Sequence, residues 1–225
     1  MKMSGRVHGT KIKICGLKRE EDIDYVNEAL PDFAGFIVNF PRSRRSISVD
    51  TLSRLTKLLS PDVISVGVFV DEDVKLVAEL LNSHTIQAAQ LHGNEDALYI
   101  RKLKALTGRD EITTSFSNLR AHDIDGLIIK AFKVTGDTDF NIIRECPSDL
   151  LLLDSGTGSG KTFDWSLIKD TGRDFFLAGG LGADNIGNAI KTINPFGIDL
   201  SSSVETDGYK DKNKILAAVA ACRSC

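Results

Sequence analysis

The chain has 225 residues, of which 42% are hydrophobic and 26% are charged, and its formal net charge is −3. A mildly acidic chain with a pI near 5.8 lacks the basic surface that nucleic-acid-binding proteins use. No apolar run reaches the roughly 20 residues that a membrane helix needs. The polar segment Met1–Thr10 also lacks the apolar core of a signal peptide. We therefore expect a cytoplasmic protein that binds neither nucleic acid nor membranes.

The chain contains eight short apolar runs, each followed by a polar turn and by apolar residues at helical spacing. These runs are Lys11–Cys15, Phe33–Val38, Val63–Val70, Ile86–Leu91, Leu127–Phe132, Leu150–Asp154, Phe175–Ala178 and Gly197–Leu200. Asp71 and Asp184 are predicted to cap the helices after strands three and seven, and Asp50 leads into the second helix. Eight βα units predict an α/β protein with the (β/α)₈ or TIM-barrel fold.

The spacing between runs is regular except between the fourth and the fifth, where about 40 residues intervene. The surplus, residues 108–125, includes Glu111–Phe116, which has the pattern of a further strand. A ninth strand does not fit an eight-stranded barrel, so we interpret 108–125 as an insertion before strand five. With residues 1–10 as a polar N-terminal extension, residues 1–225 are predicted to form a single domain.

The four cysteines are too few for a disulfide framework in a chain of this length. Cys222 and Cys225 have CxxC spacing, but a redox pair of this kind opens a helix that follows a strand. No second pair completes a zinc site. We therefore expect reduced thiols and no metal.

Two of the predicted strands end in a reactive side chain. Strand one ends at Cys15 and continues into Gly16, whereas strand six ends at Asp154 and continues into Ser155 and Gly156. In a (β/α)₈ barrel the carboxyl ends of all strands lie on one face, where the chemistry takes place. A thiol and a carboxyl group on that face are a candidate base and acid for moving protons on one substrate.

Two further turns suit a phosphate group. Gly179 and Gly180 follow strand seven, and Ser201 and Ser202 follow strand eight. Barrel enzymes often bind phosphate between these two loops through backbone N–H groups, and glycine allows the backbone to approach the anion closely. A phosphorylated small molecule is therefore the predicted substrate.

Three arginines, Arg42, Arg44 and Arg45, follow strand two at the same end of the barrel. A solvated basic loop is one interpretation of such a cluster. A second anionic group on the substrate is the other, because arginine grips carboxylates through two parallel hydrogen bonds. The position of the cluster favours the second interpretation.

The segment Gly156–Thr162 is similar to a phosphate-binding P-loop, but Ser155 stands where that motif requires its first glycine. Phe163 and Asp164 also separate the segment from the next helix, and Asp164 suits the cap of that helix. A glycine-rich lid after strand six is the favoured interpretation. The nucleotide site stays open as an alternative that an ATP titration tests.

Together these segments resemble the phosphoribosylanthranilate isomerase family of tryptophan biosynthesis, from about residue 11 to the C-terminus. The segments that carry the resemblance, in family order, are Lys13–Leu17, Gly35–Ile37, Pro41–Ser48, Val66–Val70, Gln90–Gly93, Gly160–Trp165, Gly179–Leu181 and Asp199–Ser202. The most specific are Lys-Ile-Cys-Gly, Gln-Leu-His-Gly and Gly-Lys-Thr-Phe-Asp-Trp.

The resemblance implies a barrel that needs no cofactor and that catalyses the Amadori rearrangement of N-(5-phosphoribosyl)anthranilate to 1-(2-carboxyphenylamino)-1-deoxyribulose 5-phosphate. It implies that Cys15 is the general base, that Asp154 is the general acid and that Arg45 holds the anthranilate carboxylate. It further implies that Asp199 lies near the substrate. The residues implied to hold the phosphate are Gly179, Gly180, Ser201 and Ser202.

Three positions depart from the family pattern. Asn39 and Ser46 stand where larger apolar or aromatic residues are common, and Ser203 replaces a glycine of the phosphate loop. Serine tolerates a positive φ less well than glycine, so Ser203 predicts an altered phosphate loop.

Two alternatives stay open beside this resemblance. An aminoimidazole ribonucleotide isomerase is similar in fold but pairs aspartates at strands one and five, which Cys15 disfavours. A non-catalytic barrel that binds a phosphate ligand is the other, and a turnover assay separates it from an enzyme. The sequence does not distinguish a monomer from a homodimer.

Overall fold

The computed structural model describes residues 9–108, 124–154, 165–168 and 171–225. Its eight main strands are β1 Lys11–Cys15, β2 Phe33–Val38, β3 Ile64–Phe69, β4 Ala88–Leu91, β5 Leu127–Lys133, β6 Leu150–Asp154, β7 Phe175–Ala178 and β8 Gly197–Leu200. Its helices are α1 Glu20–Ala29, α2 Val49–Thr56, α3 Val74–Asn82, α4 Ala97–Thr107, α5 Phe140–Glu145, α6 Ile186–Ile193 and α7 Lys212–Arg223. Within these described ranges, no helix is both long and apolar enough to cross a membrane.

The eight strands form one closed parallel barrel, which confirms the predicted fold. Each strand pairs in parallel with the next. The barrel closes where β1 pairs with both β2 and β8, and in that register Cys15 lies opposite Gly35 and Lys13 opposite Asp199. All eight predicted strands are present, with bounds that differ from the prediction by at most two residues at either end.

Two short strand pairings lie beside the barrel. In the first, the two-residue strand Ser46–Ile47 pairs in parallel with the end of β2. In the second, the segments Glu205–Thr206 and Tyr209–Lys210 form a small antiparallel hairpin after β8. Both follow the carboxyl ends of barrel strands, so both lie at the end where the predicted site residues are. We refer to the second pairing as the β8 hairpin.

The connection between β6 and β7 differs from a complete βα unit in its described part. Residues 165–168 contain a single 3₁₀ turn, Trp165–Leu167. The glycine-rich segment 155–164, predicted to form a lid, and the predicted cap Asp164 lie outside the described residues.

Two of the predicted helix caps are wrong by one or two residues. The N-cap of α3 is Asp73, whose carboxylate accepts a hydrogen bond from Lys75 N. Asp71 instead has a left-handed backbone, with φ 53°. The N-cap of α6 is Asn185, the residue after Asp184. Asp50, which is predicted to lead into the second helix, lies inside the first turn of α2, and Ser48 is the cap.

The segment before strand five is described only at its edges. Helix α4 ends at Thr107, and Gly108 follows it with a φ of 63°, which is the usual left-handed glycine that ends a helix. Residues 109–123, including the possible strand Glu111–Phe116, lie outside the described residues, as do residues 1–8. The insertion and the N-terminal extension stay predictions.

Alternation along the strands divides the core into two layers. Even-numbered residues of β1, such as Ile12 and Ile14, pack outward against the helices. The interior layer is apolar at the amino end of the barrel, where Phe176 makes edge-to-face contacts with Phe33 and Phe196 at 5.1 and 5.3 Å between ring centroids. Among the described residues, the polar interior side chains Lys13, Gln90 and Asp199 lie from the middle of their strands towards the carboxyl end. The barrel therefore places a polar site above an apolar cluster of interior side chains.

Candidate active site

A cavity of about 300 Å³ opens at the carboxyl end of the barrel. Its lining includes all eight residues that the sequence analysis singled out: Cys15, Arg45, Asp154, Gly179, Gly180, Asp199, Ser201 and Ser202. They come from β1, β6, β7 and β8 and from the loop after β2. The fold therefore brings together side chains that are up to 187 positions apart, the separation of Cys15 and Ser202.

Cys15 lies on the wall of this cavity and is only 6% exposed. Its neighbour on the barrel interior is Lys13, whose Nζ forms an ion pair with Asp199 Oδ1 at 3.0 Å. Burial raises the pKa of the Cys15 thiol, and the Lys13 ammonium opposes that rise. Burial likewise raises the pKa of Asp199. Burial therefore favours the thiol form of Cys15, and the Lys13 ammonium favours its thiolate.

Asp154 reaches the same cavity from β6, on the far side of β7 and β8 from Cys15. One of its carboxylate oxygens, Oδ2, lies 3.8 Å from His92 Nε2. The other ring nitrogen of His92, Nδ1, lies 2.8 Å from the side-chain amide of Gln90. Burial lowers the pKa of His92, although the Asp154 carboxylate opposes this, so the imidazole is neutral near pH 7.

The two loops predicted to bind phosphate face the cavity side by side. Gly179 and Gly180 both have a positive φ, 94° and 65°, which is the conformation that glycine adopts without strain. Asn185 fixes this turn, because its side-chain amide donates to Gly180 O and accepts from Gly182 N, both at 2.9 Å. Ser201 Oγ donates to Cys15 O at 3.1 Å and so connects the second loop to β1.

Ser203, one of the departures from the family pattern, does not have a positive φ. It lies within a 3₁₀ turn, Ser202–Val204. The expected cost of placing serine in a left-handed conformation therefore does not arise. The prediction of an altered loop on that ground is wrong.

The other two departures have local explanations. Asn39 has a left-handed backbone with φ 51°, and asparagine is one of the few residues besides glycine that adopts this conformation readily. Ser46 accepts a hydrogen bond from Phe40 N at 2.8 Å, and Phe40 lines the cavity. Both small polar residues thus shape the loop that carries Arg45.

Arg45 extends across Gly16 towards the β8 hairpin. Its Nε and Nη2 donate to the two carboxylate oxygens of Glu205, at 2.5 and 2.8 Å. A side chain at position 16 would collide with Arg45 Cδ, and Gly16 also has a φ of 83°. The glycine after Cys15 is therefore needed both for its backbone conformation and for the space that Arg45 occupies.

Glu205 forms ion pairs with three cationic side chains of the described residues, although its own side chain is only 4% exposed. Besides Arg45, it binds Arg44 at 2.6 Å and Lys210 at 2.9 Å. Burial alone would raise the pKa of Glu205, but hydrogen bonds from Arg45 and Lys210 lower it to about 2. Lys210 also donates to Ser201 O at 2.8 Å, so the β8 hairpin connects the arginine loop with the predicted phosphate loop.

The residues with polar contacts in this site to which sequence reasoning assigns no role include Lys13, His92 and Glu205. Lys13 lies in the middle of the apolar run that forms β1, and His92 directly follows the run that forms β4. Alternation on β1 indicates that Lys13 shares the interior face of Cys15. No comparable signal identifies the partner of Glu205, which lies 160 positions from Arg45. Among the described residues, no group of His, Cys, Asp and Glu could hold a metal ion.

Comparisons with known proteins bear on this arrangement of thiol, carboxyl and anion-binding turns. Residues 12–221 match the family model described as N-(5'-phosphoribosyl)anthranilate (PRA) isomerase. The chain belongs to this family. The curated isomerase of Endomicrobium trichonymphae is 42% identical over 219 residues, which is 95% of this chain and 98% of that protein. The chain is thus an isomerase of tryptophan biosynthesis, as its motifs imply.

Solved structures with similar folds agree with this assignment. The phosphoribosylanthranilate isomerase of Thermotoga maritima has a TM-score of 0.78 and 34% identity, covering 96% of this chain and all of that one. A second isomerase structure, in complex with reduced 1-(o-carboxyphenylamino)-1-deoxyribulose 5-phosphate, has a TM-score of 0.76, 33% identity and the same coverage. A third describes monomers generated from the dimeric Thermotoga maritima protein, again with a TM-score of 0.76, 33% identity and the same coverage.

Proposed function

We propose that the chain isomerises N-(5-phosphoribosyl)anthranilate with Cys15 as general base and Asp154 as general acid. The observation that carries these roles is that both side chains line one cavity from separate walls, at the end of the barrel where glycine and serine turns also lie. An acid and a base that reach one small molecule from different sides can protonate one atom of it and deprotonate another.

The first step opens the sugar ring. The Asp154 carboxylic acid gives its proton to the ring oxygen, the bond between C1 and that oxygen breaks, and a cationic iminium forms between C1 and the anthranilate nitrogen. The proton on C2 becomes acidic because its bonding electrons can flow into the iminium. No redox group or metal is needed for this step, so we propose that the enzyme uses no cofactor.

The second step removes the C2 proton. The Cys15 thiolate takes it, the C2 electrons form a double bond to C1, and the nitrogen recovers its electron pair. The resulting enolamine gains a proton at C1 and loses one from the C2 hydroxyl, which gives the ketone. Exchange with solvent then restores the thiolate and the carboxylic acid for the next turnover.

Substrate binding in this proposal uses the two anionic ends of the molecule. The phosphate lies against the turns at Gly179–Gly180 and Ser201–Ser202, whose backbone N–H groups suit an anion. The anthranilate carboxylate binds Arg45, which Glu205 already holds in one orientation. Asp199 lies between these ends, below the reacting pentose.

We propose a cytoplasmic enzyme whose partner is this phosphorylated small molecule, acting as a monomer or a homodimer. A phosphorylated sugar intermediate does not cross membranes readily, which favours the compartment where it is made. Size-exclusion chromatography with light scattering decides between the two assembly states.

The test is an assay of the loss of fluorescence of freshly made phosphoribosylanthranilate. We expect Cys15→Ala and Asp154→Asn each to lower kcat by about 10²–10⁴-fold, the range typical of general acid–base groups. Circular dichroism should show an intact fold for both. Cys146→Ala is the matched control, because Cys146 is half-buried outside the cavity. Near-native turnover by either active-site variant would remove that residue from its assigned role.

A further inference from the structure

Lys13 is a charged side chain with no exposed surface in the interior of the barrel. Its ammonium group faces Asp199 at 3.0 Å, in direct register across β1 and β8. Buried ion pairs of this kind commonly contribute little to stability, since the cost of desolvating both charges offsets their attraction. A contribution to stability therefore does not explain why Lys13 and Asp199 are buried together.

The same ammonium group lies beside the Cys15 sulfur. Lys13 and Cys15 are two positions apart on β1, so both side chains point into the barrel. Gly35, which pairs with Cys15 on β2, leaves the space in which they meet. A Cβ atom at Gly35 would lie 2.8 Å from Cys15 Sγ and 3.1 Å from Lys13 Nζ. The ammonium group thus has two partners, the Asp199 carboxylate and the sulfur.

In the part of the chain that the structure describes, four charged side chains face Cys15, and they shift the pKa of its thiol in opposite directions. Burial raises the pKa of the thiol, and the Lys13 ammonium is the largest influence that lowers it. Asp199 raises the pKa of Cys15, whereas Lys210 lowers it, and Arg45 lies close enough to interact with the sulfur. Lys13 is therefore the principal positive charge available to a Cys15 thiolate.

Lys13 itself stays charged. Burial alone would lower the pKa of its ammonium group, but Asp199 and the Cys15 sulfur more than offset this and raise that pKa. A lysine held as ammonium is not a nucleophile, so it does not form a Schiff base with the substrate. Its contribution is a fixed charge and a hydrogen-bond donor.

We propose that Lys13 is a positioning residue for catalysis: its ammonium group, held in place by Asp199, stabilises the thiolate of Cys15 and orients it towards C2 of the substrate. This proposal rests on the proposed role of Cys15 as general base. No proton leaves Lys13 in the reaction, and the proton from C2 goes to the sulfur alone.

The test measures the thiolate of Cys15 directly, without turnover. Each protein is treated briefly with iodoacetamide at a series of pH values, quenched, digested and analysed by mass spectrometry for alkylation at Cys15. Thiolate displaces iodide, so the midpoint of alkylation against pH reports the pKa of Cys15. The exposed Cys225 in the same sample is an internal reference.

Two substitutions should move this midpoint in opposite directions. Lys13→Met removes the positive charge and should raise the midpoint by about 1–3 pH units, the usual effect of a close opposite charge. Asp199→Asn removes the negative charge and should lower it. Lys11→Met is the matched control on the same strand, because Lys11 pairs with Asp32 instead, and it should leave the midpoint unchanged.

Activity gives an independent readout. In Lys13→Met, the rise of kcat on the acidic side of the pH profile should shift to higher pH together with the alkylation midpoint. If Lys13→Met does not fold, the double variant Lys13→Met with Asp199→Asn removes both charges and is compared with Asp199→Asn alone. Its midpoint should be the higher of the two.

An unshifted midpoint in a folded Lys13→Met protein would overturn the proposal. So would a shift of the two single variants in the same direction, because a purely structural disturbance of β1 would produce that result. The Cys15→Ala turnover assay tests the base assignment separately. Failure of the Lys13 proposal can therefore be distinguished from failure of the proposed mechanism.

Discussion

The two ends of the barrel interior are built from opposite kinds of side chain. At the amino end, Phe33, Phe176 and Phe196 pack edge to face in a fully apolar cluster. At the carboxyl end, the same interior face of β1 and β8 carries a buried ion pair, Lys13 with Asp199. The two environments meet where Lys13 lies opposite Phe33 in the register of β1 and β2.

The difference indicates that stability and chemistry are separated along the barrel axis. The aromatic cluster removes apolar surface from water. It is tightly packed, because a side chain at Gly197 would collide with the Phe176 ring. The polar end instead holds charges in a low dielectric, where each has a large effect on its neighbours. Substitutions at the aromatic end should therefore change the free energy of unfolding, and substitutions at the polar end should change kcat or KM.

The largest effect on stability is expected at the aromatic end. Phe176→Ala should lower the free energy of unfolding by about 3–5 kcal/mol, as is typical when a buried aromatic ring leaves a cavity. Urea unfolding measures this change, and kcat of the folded fraction should stay near the wild-type value. The control Ile142→Ala removes a side chain that is 64% exposed and should have little effect. A loss of kcat as large as that of Cys15→Ala would contradict the separation of stability from catalysis along the barrel.

The next largest effect is expected on KM, from Arg45 in the loop after β2. Arg45→Ala should raise KM for phosphoribosylanthranilate by about 10–100-fold, because a hydrogen bond to a charged group contributes roughly 1.5–3 kcal/mol. The change in kcat should be smaller, since the carboxylate lies away from the reacting carbons. Arg42→Ala is the matched control, an exposed arginine of the same loop. An unchanged KM would remove Arg45 from carboxylate binding.

Much of the fold could be predicted because its signals are local. The strand β6, with four leucines before Asp154, has buried residues on both faces and reads as a continuous apolar run. The periodic spacing of Val74 and Val77 predicts α3. The sequence does not fix the start of α3, because both Asp71 and Asp73 suit an N-cap. The fold brings Asn94 to the Asp71 carboxylate and leaves Asp73 as the cap.

The contacts that organise the site are not local, and the sequence alone does not reveal them. Lys13 and Asp199 are 186 positions apart, and pairing them requires the register in which β1 and β8 close the barrel. The sequence motifs place Cys15, Asp154 and the two turns at one end of the barrel. They do not show that burial raises the pKa of Cys15, or that Glu205 occupies two donors of Arg45.

Glu205 allows a finer test of the polar end. Glu205→Gln keeps the shape of the side chain but removes the charge that holds Arg45, so we expect KM to rise by about 3–10-fold, in the range of one net hydrogen bond, with kcat little changed. Steady-state kinetics with the fluorescent substrate measures this. The control Glu28→Gln breaks an exposed ion pair with Lys212 and should leave KM unchanged. A fall in kcat without a change in KM would contradict a role in orienting Arg45.

A further effect is expected on the pH dependence of stability, and it has a definite sign. The cations around Glu205 lower its pKa from 4.5 to about 2 in the folded state. The ionised carboxylate therefore stabilises the fold fully above about pH 4.5, and this contribution is lost as the pH falls towards 2. The stability advantage of the wild type over Glu205→Gln should be constant near neutral pH and should shrink between about pH 5 and 3. Urea unfolding of both proteins across this range measures the difference, and an advantage that grows on acidification would show that Glu205 is not held as a carboxylate by its cations.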